Sequence, residues 1–194
     1  MKITIVTATW NSGATLRHTM RSVLSQSYPN IEHIIVDGGS TDDTMEIVHE
    51  LEPDYQGRLR YISEKDKGIY DAMNKGIAMA TGDIVGILNS DDFYTGDSVL
   101  STVVSAFENG NIDAVYGDIH YVKDNDLQKC TRYYSSKLFH RRWMRLGFMP
   151  AHPSFYCRKE IYEKYGGFNL SYKIAADFEC LLRLIFVHKI RLRY

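Results

Sequence analysis

The sequence has almost none of the cysteine that a disulfide framework or a zinc site would need. Its three cysteines, Cys130, Cys157 and Cys180, are odd in number, far apart and without a C-x-x-C pair, so they read as small hydrophobes in a reducing, cytoplasmic protein. No apolar run approaches the ~20 residues that span a bilayer. The opening Met1-Lys2-Ile3-Thr4-Ile5-Val6 reads as a strand and has no apolar core followed by a small-residue cleavage site, so it is not expected to be a signal peptide. Any membrane contact is therefore expected to be peripheral. Charge of one sign is also missing: 23 Lys and Arg face 24 Asp and Glu, a net of −1, which argues against a nucleic-acid polymer as partner. Linkers, repeats and low-complexity stretches are absent too, and 194 residues with 44% hydrophobic content suffice for one globular domain with a real core.

What is present in the first half is an alternation of short apolar runs and helical patterns. Strands are expected over residues 3–7, 31–36, 59–63 and 84–88, and helices over 14–25, from a cap at Ser40-Thr41-Asp42 to about Leu51, and over 69–80. This β-α-β order implies right-handed crossovers and an α/β fold, Rossmann-like, with a mostly parallel sheet covered by helices on both faces. The runs Ile34-Ile35-Val36 and Ile84-Val85-Gly86-Ile87-Leu88 suit strands buried on both sides. The second half is less regular: a helix over 98–107, strands over 114–118 and 154–157, a turn over 123–126, and a last helix over 175–187 after a Gly166-Gly167 turn. Between them lies a basic, aromatic segment from Lys137 through Arg141, Arg142, Trp143 and Arg145.

In open parallel sheets ligands bind beyond the carboxyl ends of the strands. The residues that follow the four expected strands, 7–11, 37–41, 64–68 and 89–92, are all polar, and three of the four groups carry carboxylates. Asn89-Ser90-Asp91-Asp92 sets two adjacent carboxylates at the end of a buried strand. Such a pair is costly to desolvate without a cation, and Mg²⁺ or Mn²⁺ with diphosphate oxygens would offset that cost; a helix cap is the other role open to it. The Asp37-Gly38-Gly39-Ser40-Thr41-Asp42 turn lets the backbone approach a ligand closely, and Asp37 could accept hydrogen bonds from a base or ribose edge. The segment matches neither the P-loop nor the dinucleotide fingerprint.

Taken in order, Thr7-Ala8-Thr9-Trp10-Asn11, Val36-Asp37-Gly38-Gly39-Ser40-Thr41-Asp42, Asp66-Lys67-Gly68-Ile69-Tyr70-Asp71-Ala72-Met73-Asn74-Lys75-Gly76, Thr81-Gly82-Asp83 and Leu88-Asn89-Ser90-Asp91-Asp92 resemble the family 2 glycosyltransferases. The resemblance implies a GT-A fold, a nucleoside-diphosphate-sugar donor (uridine the first base to test) and a divalent metal. By match, it implies that Thr7, Ala8 and Asn11 line the nucleotide pocket and that Asp37 contacts the base. Asp66, Asn74 and Lys75 would lie near base, ribose or diphosphate, and Asp91 and Asp92 would hold the metal–diphosphate end. The family's leading acidic position is Asn89 here, which leaves fewer charges on the cation.

The second half matches more loosely. His152-Pro153-Ser154-Phe155 and Tyr165-Gly166-Gly167-Phe168-Asn169 resemble acceptor-side segments of bacterial polysaccharide-building members, which divides the chain into a donor half, 1–95, and an acceptor half, 96–194. Ala176-Asp177-Phe178-Glu179 resembles the family's acidic helix start, with Ala176 at the usual Glu and Glu179 at the second Asp, which puts Asp177 at the catalytic base. His152 and Glu179 become acceptor contacts. The chain stops shortly after a strand begins near Arg191, where similar proteins continue. The expectation is an inverting transfer to a saccharide or lipid-linked acceptor at the inner face of the membrane, the basic-aromatic segment being a candidate for contact with anionic lipid. A nucleotidyltransferase would favour a basic, glycine-rich loop near the N-terminus, and residues 7–13 hold no Lys or Arg. A non-catalytic nucleotide-sugar-binding module is the third class to test.

Overall fold

The computed structural model describes residues 1–123 and 126–194. The four expected strands form as β1 (Ile3–Thr9), β2 (Ile31–Asp37), β3 (Leu59–Ser63) and β4 (Ile84–Ile87). Between them lie α1 (Leu16–Leu24), α2 (Thr44–Leu51) and α3 (Ile69–Met79), followed by α4 (Val99–Glu108) and the two-residue β5 (Ala114–Val115). A hairpin then runs through β6 (Ile119–Lys123) and β7 (Asp126–Tyr134). The remaining elements are β8 (Tyr156–Arg158), α5 (Lys159–Tyr165), α6 (Ala176–Leu181) and β9 (Leu192–Arg193). Seven strands share one sheet in the order β3-β2-β1-β4-β8-β5-β9. All its pairs are parallel except those of β8, which is antiparallel to β4 and β5.

Strand alternation sorts side chains to the two faces. On β1, Ile3 and Ile5 join Leu16, Met20, Ile47, Leu100 and Phe107, so α1, α2 and α4 cover that face. Val6 and Ala8 point the other way, toward Met73 and Ile77 of α3 and Leu181 of α6. Helix α3 lies close to the sheet because position 76 is glycine: a Cβ there would stand 2.1 Å from Val6 Cγ1. Near the opposite edge of β1, Glu32 is buried on β2 and accepts from the Thr4 hydroxyl at 2.7 Å and from the Thr81 N–H and hydroxyl at 2.8 Å each. Burial alone would raise this carboxyl; those three bonds and the charge of Lys2 outweigh it and bring it down to about 2.

The sequence expectation departs from this fold in the second half. The hairpin β6–β7 is an unexpected two-stranded sheet, and its turn, expected over 123–126, lies outside the described residues at Asp124 and Asn125. The expected strand over 114–118 shortens to Ala114–Val115. The last helix changes character, α6 giving way to a π-helical stretch at Leu182–Val187. No helix among the described residues is long and apolar enough to cross a membrane.

Candidate active site

A cleft of about 500 Å³ opens at the carboxyl edge of β1 and β4, lined among others by Ala8, Asn11, Ser12, Tyr70, Asn89, Ser90, Asp91 and His152. Its position follows from the alternation on β1. Ala8 is the small residue on the α3 face, so the cleft can descend between β1 and α3 where a larger side chain would fill it. The rim is held by bonds between loops. Asn11 adopts φ 48°, its N–H donates to Ser40 Oγ at 2.7 Å, and its side-chain oxygen accepts from Thr41 N–H at 2.9 Å. Ser12 and Ser90 share a hydroxyl–hydroxyl bond of 2.8 Å, and the Thr19 hydroxyl donates to Ser90 O at 2.9 Å. Three loops from three strands thus form one preformed wall.

The two adjacent aspartates separate. Asp91 is exposed, lines the cleft, and its carboxylate has no hydrogen-bond or ion-pair partner among the described residues. Asp92 turns inward and accepts from Asn89 Nδ2 at 2.8 Å. Burial raises the Asp92 carboxyl; the Asn89 bond counters this, while the charge of Asp91 adds to it. Asn89 lines the cleft, and its Oδ1 is buried with no hydrogen-bond partner, an orphaned acceptor in the same loop. Among the described residues no group of three or more His, Cys, Asp or Glu is placed to enclose a metal ion.

Across the cleft the chain returns from the second half. The Tyr70 hydroxyl donates to Asp177 Oδ1 at 3.0 Å, joining residues 107 positions apart. The other carboxylate oxygen faces His152 Nε2 at 4.0 Å. His152 lies below its ordinary value because of burial, against the pull of Asp177 and Asp92, so at neutral pH it is an uncharged neighbour and not an ion-pair partner. Asp177 sits in the first turn of α6, which Ala175 enters at φ 64°. The Tyr70 ring also stacks on Phe168 at 5.6 Å and 30°. Asp177, Tyr70 and His152 therefore meet where the cleft borders an apolar wall of Ile87, Phe155 and Phe168.

Several expected contacts are placed elsewhere. Thr7 is fully buried on the opposite face from Ala8, because neighbours on a strand alternate. Its hydroxyl bonds His33 Nε2 at 3.0 Å, and His33 Nδ1 bonds the Tyr55 hydroxyl, which donates to Met20 O. That terminal carbonyl fixes the direction of the whole chain: Tyr55 must accept from Nδ1–H, so Nε2 accepts from Thr7. Burial drives His33 down to about 3. Asp37 is also fully buried; it accepts from the Gly39 and Ser40 N–H groups and from the Ser40 and Ser63 hydroxyls. Those four bonds make Asp37 the organiser of its own loop. Asn74 gives its amide to Phe168, donating to O and accepting from N–H at 2.8 Å each. Lys75 pairs with Glu64 at 2.7 Å and Asp71 at 3.6 Å. Glu179 is held by Arg183, whose guanidinium also caps the carbonyls of Tyr165, Gly166 and Gly167. Asp66 abuts Gly38, where a Cβ would approach its Oδ2 to 2.7 Å, and takes the Gly68 N–H at 2.8 Å. Tyr70 and Ser12 are not among the expected site residues, and Ser90 enters only as part of the 89–92 loop. Only the adjacency of Tyr70 to the charged helix entrance hinted at it, since its partner is remote in sequence.

A family model described as glycosyl transferase family 2 matches residues 4–166. An uncharacterized glycosyltransferase of Mycobacterium tuberculosis is 35% identical over 189 residues, 95% of this chain and 69% of that protein. A PGL/p-HBAD biosynthesis glycosyltransferase of Mycobacterium bovis is 29% identical over 180 residues, 92% of this chain and 68% of that one. Among solved structures, S. aureus TarS 1–349 in complex with UDP superposes with a TM-score of 0.78 at 19% identity, covering 99% of this chain and 57% of that chain. A mannosyltransferase from Pyrobaculum calidifontis, in complex with GDP-Man and Mn²⁺, gives 0.73 at 22%, covering 98% and 53%. The chain spans 34% of the longer TarS chain. These likenesses establish the fold as GT-A, the mixed sheet between helix layers described above.

Proposed function

The chain belongs to glycosyl transferase family 2, and from that premise we propose an inverting transfer from a nucleoside-diphosphate sugar, UDP-linked first among the candidates, to a hydroxyl of a saccharide or lipid-linked acceptor. The observation that carries this reading is a free carboxylate, Asp91, in the cleft and a second carboxylate, Asp177, just behind its wall, hydrogen-bonded to the cleft-lining Tyr70 and beside the cleft-lining His152. The UDP held by TarS and the GDP-Man and Mn²⁺ held by the mannosyltransferase support a nucleotide-sugar donor. We assign the protein to cell-surface polysaccharide synthesis on the cytoplasmic side of the membrane, and treat residues 1–95 as the donor half and 96–194 as the acceptor half.

The residues present suit a divalent ion that arrives with the nucleotide. Asp91 offers one free carboxylate and Asn89 Oδ1 one unpartnered oxygen, and Mg²⁺ or Mn²⁺ completes such a shell with phosphate oxygens and water. When bound it supplies electrostatic stabilisation of the departing diphosphate. Asp91 would be its carboxylate ligand, and Asp92 holds Asn89 in place. Ala8, Asn11 and Ser12 line the donor, with Asp66 beside the base and Asp37 setting the loop between them. In the transfer, the acceptor oxygen bonds to the anomeric carbon as the bond to the diphosphate oxygen breaks, and Asp177 takes the acceptor proton. Tyr70 holds the orientation of that carboxylate through its hydrogen bond, with His152 as a neutral neighbour.

The reading is tested by incubating the protein with UDP-, GDP- and dTDP-sugars and Mn²⁺, with and without EDTA, and following nucleotide release. A metal-dependent release whose glycoside product has the anomeric configuration opposite to the donor supports it. Retention of configuration would overturn the inverting step, and binding without any turnover in the presence of acceptor glycans would leave a binding module in its place.

A further inference from the structure

The basic, aromatic segment expected from the sequence folds into a surface that the cleft does not use. Arg141–Leu146 forms a single 3-10 helix whose one buried residue is Met144. That anchor turns the rest of the helix outward, over a groove of about 1200 Å³. Arg141, Arg142, Arg145 and Lys189 line this groove beside Trp143 and Leu146, and no carboxylate among the described residues lines it. Arg141 donates to Ile190 O at 3.0 Å and so ties the helix to the chain behind it. The side chains of Arg142, Arg145 and Lys189 have no carboxylate partner among the described residues. In a chain of net charge −1, these are local cations left uncompensated.

Leu146 on the groove, and residues next or near in the chain to other lining residues, are exposed apolar groups. Leu138 is 78% exposed, Leu146 73%, Val187 60% and Phe148 59%. A soluble ligand bearing phosphates would need the cations but gains nothing from exposed leucines at the rim. A surface that offers both negative charge and hydrocarbon uses both sets, cations at headgroup level and Trp, Leu and Phe below it. We infer that this face docks on an anionic lipid bilayer. The inference rests on the transferase reading only for its purpose, a lipid-borne acceptor, since the docking is measured without donor. The groove leads by six residues of chain, 147–152, from Leu146 to His152 at the cleft, so docking would set the acceptor side of the site against the membrane.

The experiment is co-flotation of the full chain with phosphatidylglycerol-containing vesicles and with pure phosphatidylcholine vesicles. Each cation removed near an anionic surface lowers partitioning about five-fold, so Arg142→Ala/Arg145→Ala should lose on the order of twenty-five-fold. Leu138→Ser/Leu146→Ser should weaken the residual binding that survives high salt, where charge is screened. Donor turnover in the absence of vesicles should be unchanged in both variants, which keeps failure of this inference distinct from failure of the transferase reading. The vesicle-charge series needs only the wild-type protein, so a variant that misfolds does not block the test. Equal flotation with neutral vesicles, no flotation, or displacement by millimolar inorganic pyrophosphate or by single-stranded RNA would overturn it.

Discussion

Asp177→Asn keeps the size of the side chain and an oxygen for the Tyr70 hydroxyl, and removes only the capacity to take a proton. A positioned general base contributes ~10²–10⁴-fold, so kcat should fall by at least ~100-fold. Asp177 does not line the cleft about Ala8 and Asp91, so the donor dissociation constant should stay within about two-fold, well under 1 kcal/mol. Tyr70→Phe then measures the positioning. A hydrogen bond to a charged group is worth ~1.5–3 kcal/mol. Asp177 is still 17% exposed, so water replaces part of that bond and the low end applies, about ten-fold in kcat. If Tyr70 works through the carboxylate, adding Tyr70→Phe to Asp177→Asn should cost no more than about two-fold further. The assay is steady-state transfer at saturating donor, with donor binding by calorimetry. A single Asp177→Asn variant within ten-fold of wild type, or fully additive losses in the double variant, would refute the assignment.

Asp91→Ala should abolish the metal-dependent rise in melting temperature given by a nucleotide, since its carboxylate is the free one in the cleft; retention of the full rise would move the ligand to Asp92. Asp92→Asn should leave the nucleotide-free protein as stable or more stable at pH 7. Its raised carboxyl means the unfolded chain ionises more readily than the folded one, so charge at this site costs stability as pH rises, and thermal melts at pH 4 and 7 read the difference. Glu32 runs the opposite way: lowered from 4.5 to about 2, it stabilises above pH 4.5 and loses that contribution as pH falls toward 2. Glu32→Gln should therefore cost about 3 kcal/mol at pH 7 and flatten acid unfolding over that window, as urea titrations would show. Gly76→Ala places a methyl against Val6 and should cost ~1–3 kcal/mol in the same titrations.

The first half was legible because buried parallel strands announce themselves as apolar runs. Ile34-Ile35-Val36 and Ile84 to Ile87 lie in the register their composition suggests. The hairpin was not, because Tyr121, Tyr133 and Arg132 leave it largely exposed and no buried face imposes a period. Within the site, what sequence alone could not supply was direction. Thr7 and Ala8 are adjacent, yet alternation sends one to His33 and the other to the cleft. Asn74 and Asp177 have partners 94 and 107 positions away, beyond any local pattern. Glu179 was different: Arg183 four residues on, one helical turn away, was visible in the sequence and pointed to a structural pair.

The strand order has a kinetic consequence. β3, β2, β1 and β4 are neighbours in the sheet and come from the first 87 residues, so this half can pair and cover itself while later segments are still unplaced. β8 must insert beside β4 after a separation of some seventy residues, and it brings with it the turn that bears His152. Loop-closure entropy makes such remote pairing the slower event. In refolding, pulse-labelled amides of β1 to β4 should gain protection before those of β8 and β5. A chain caught in that interval would hold the loops proposed for the donor without the carboxylate proposed as base, so on that reading the capacity to bind donor would be acquired before the capacity to consume it.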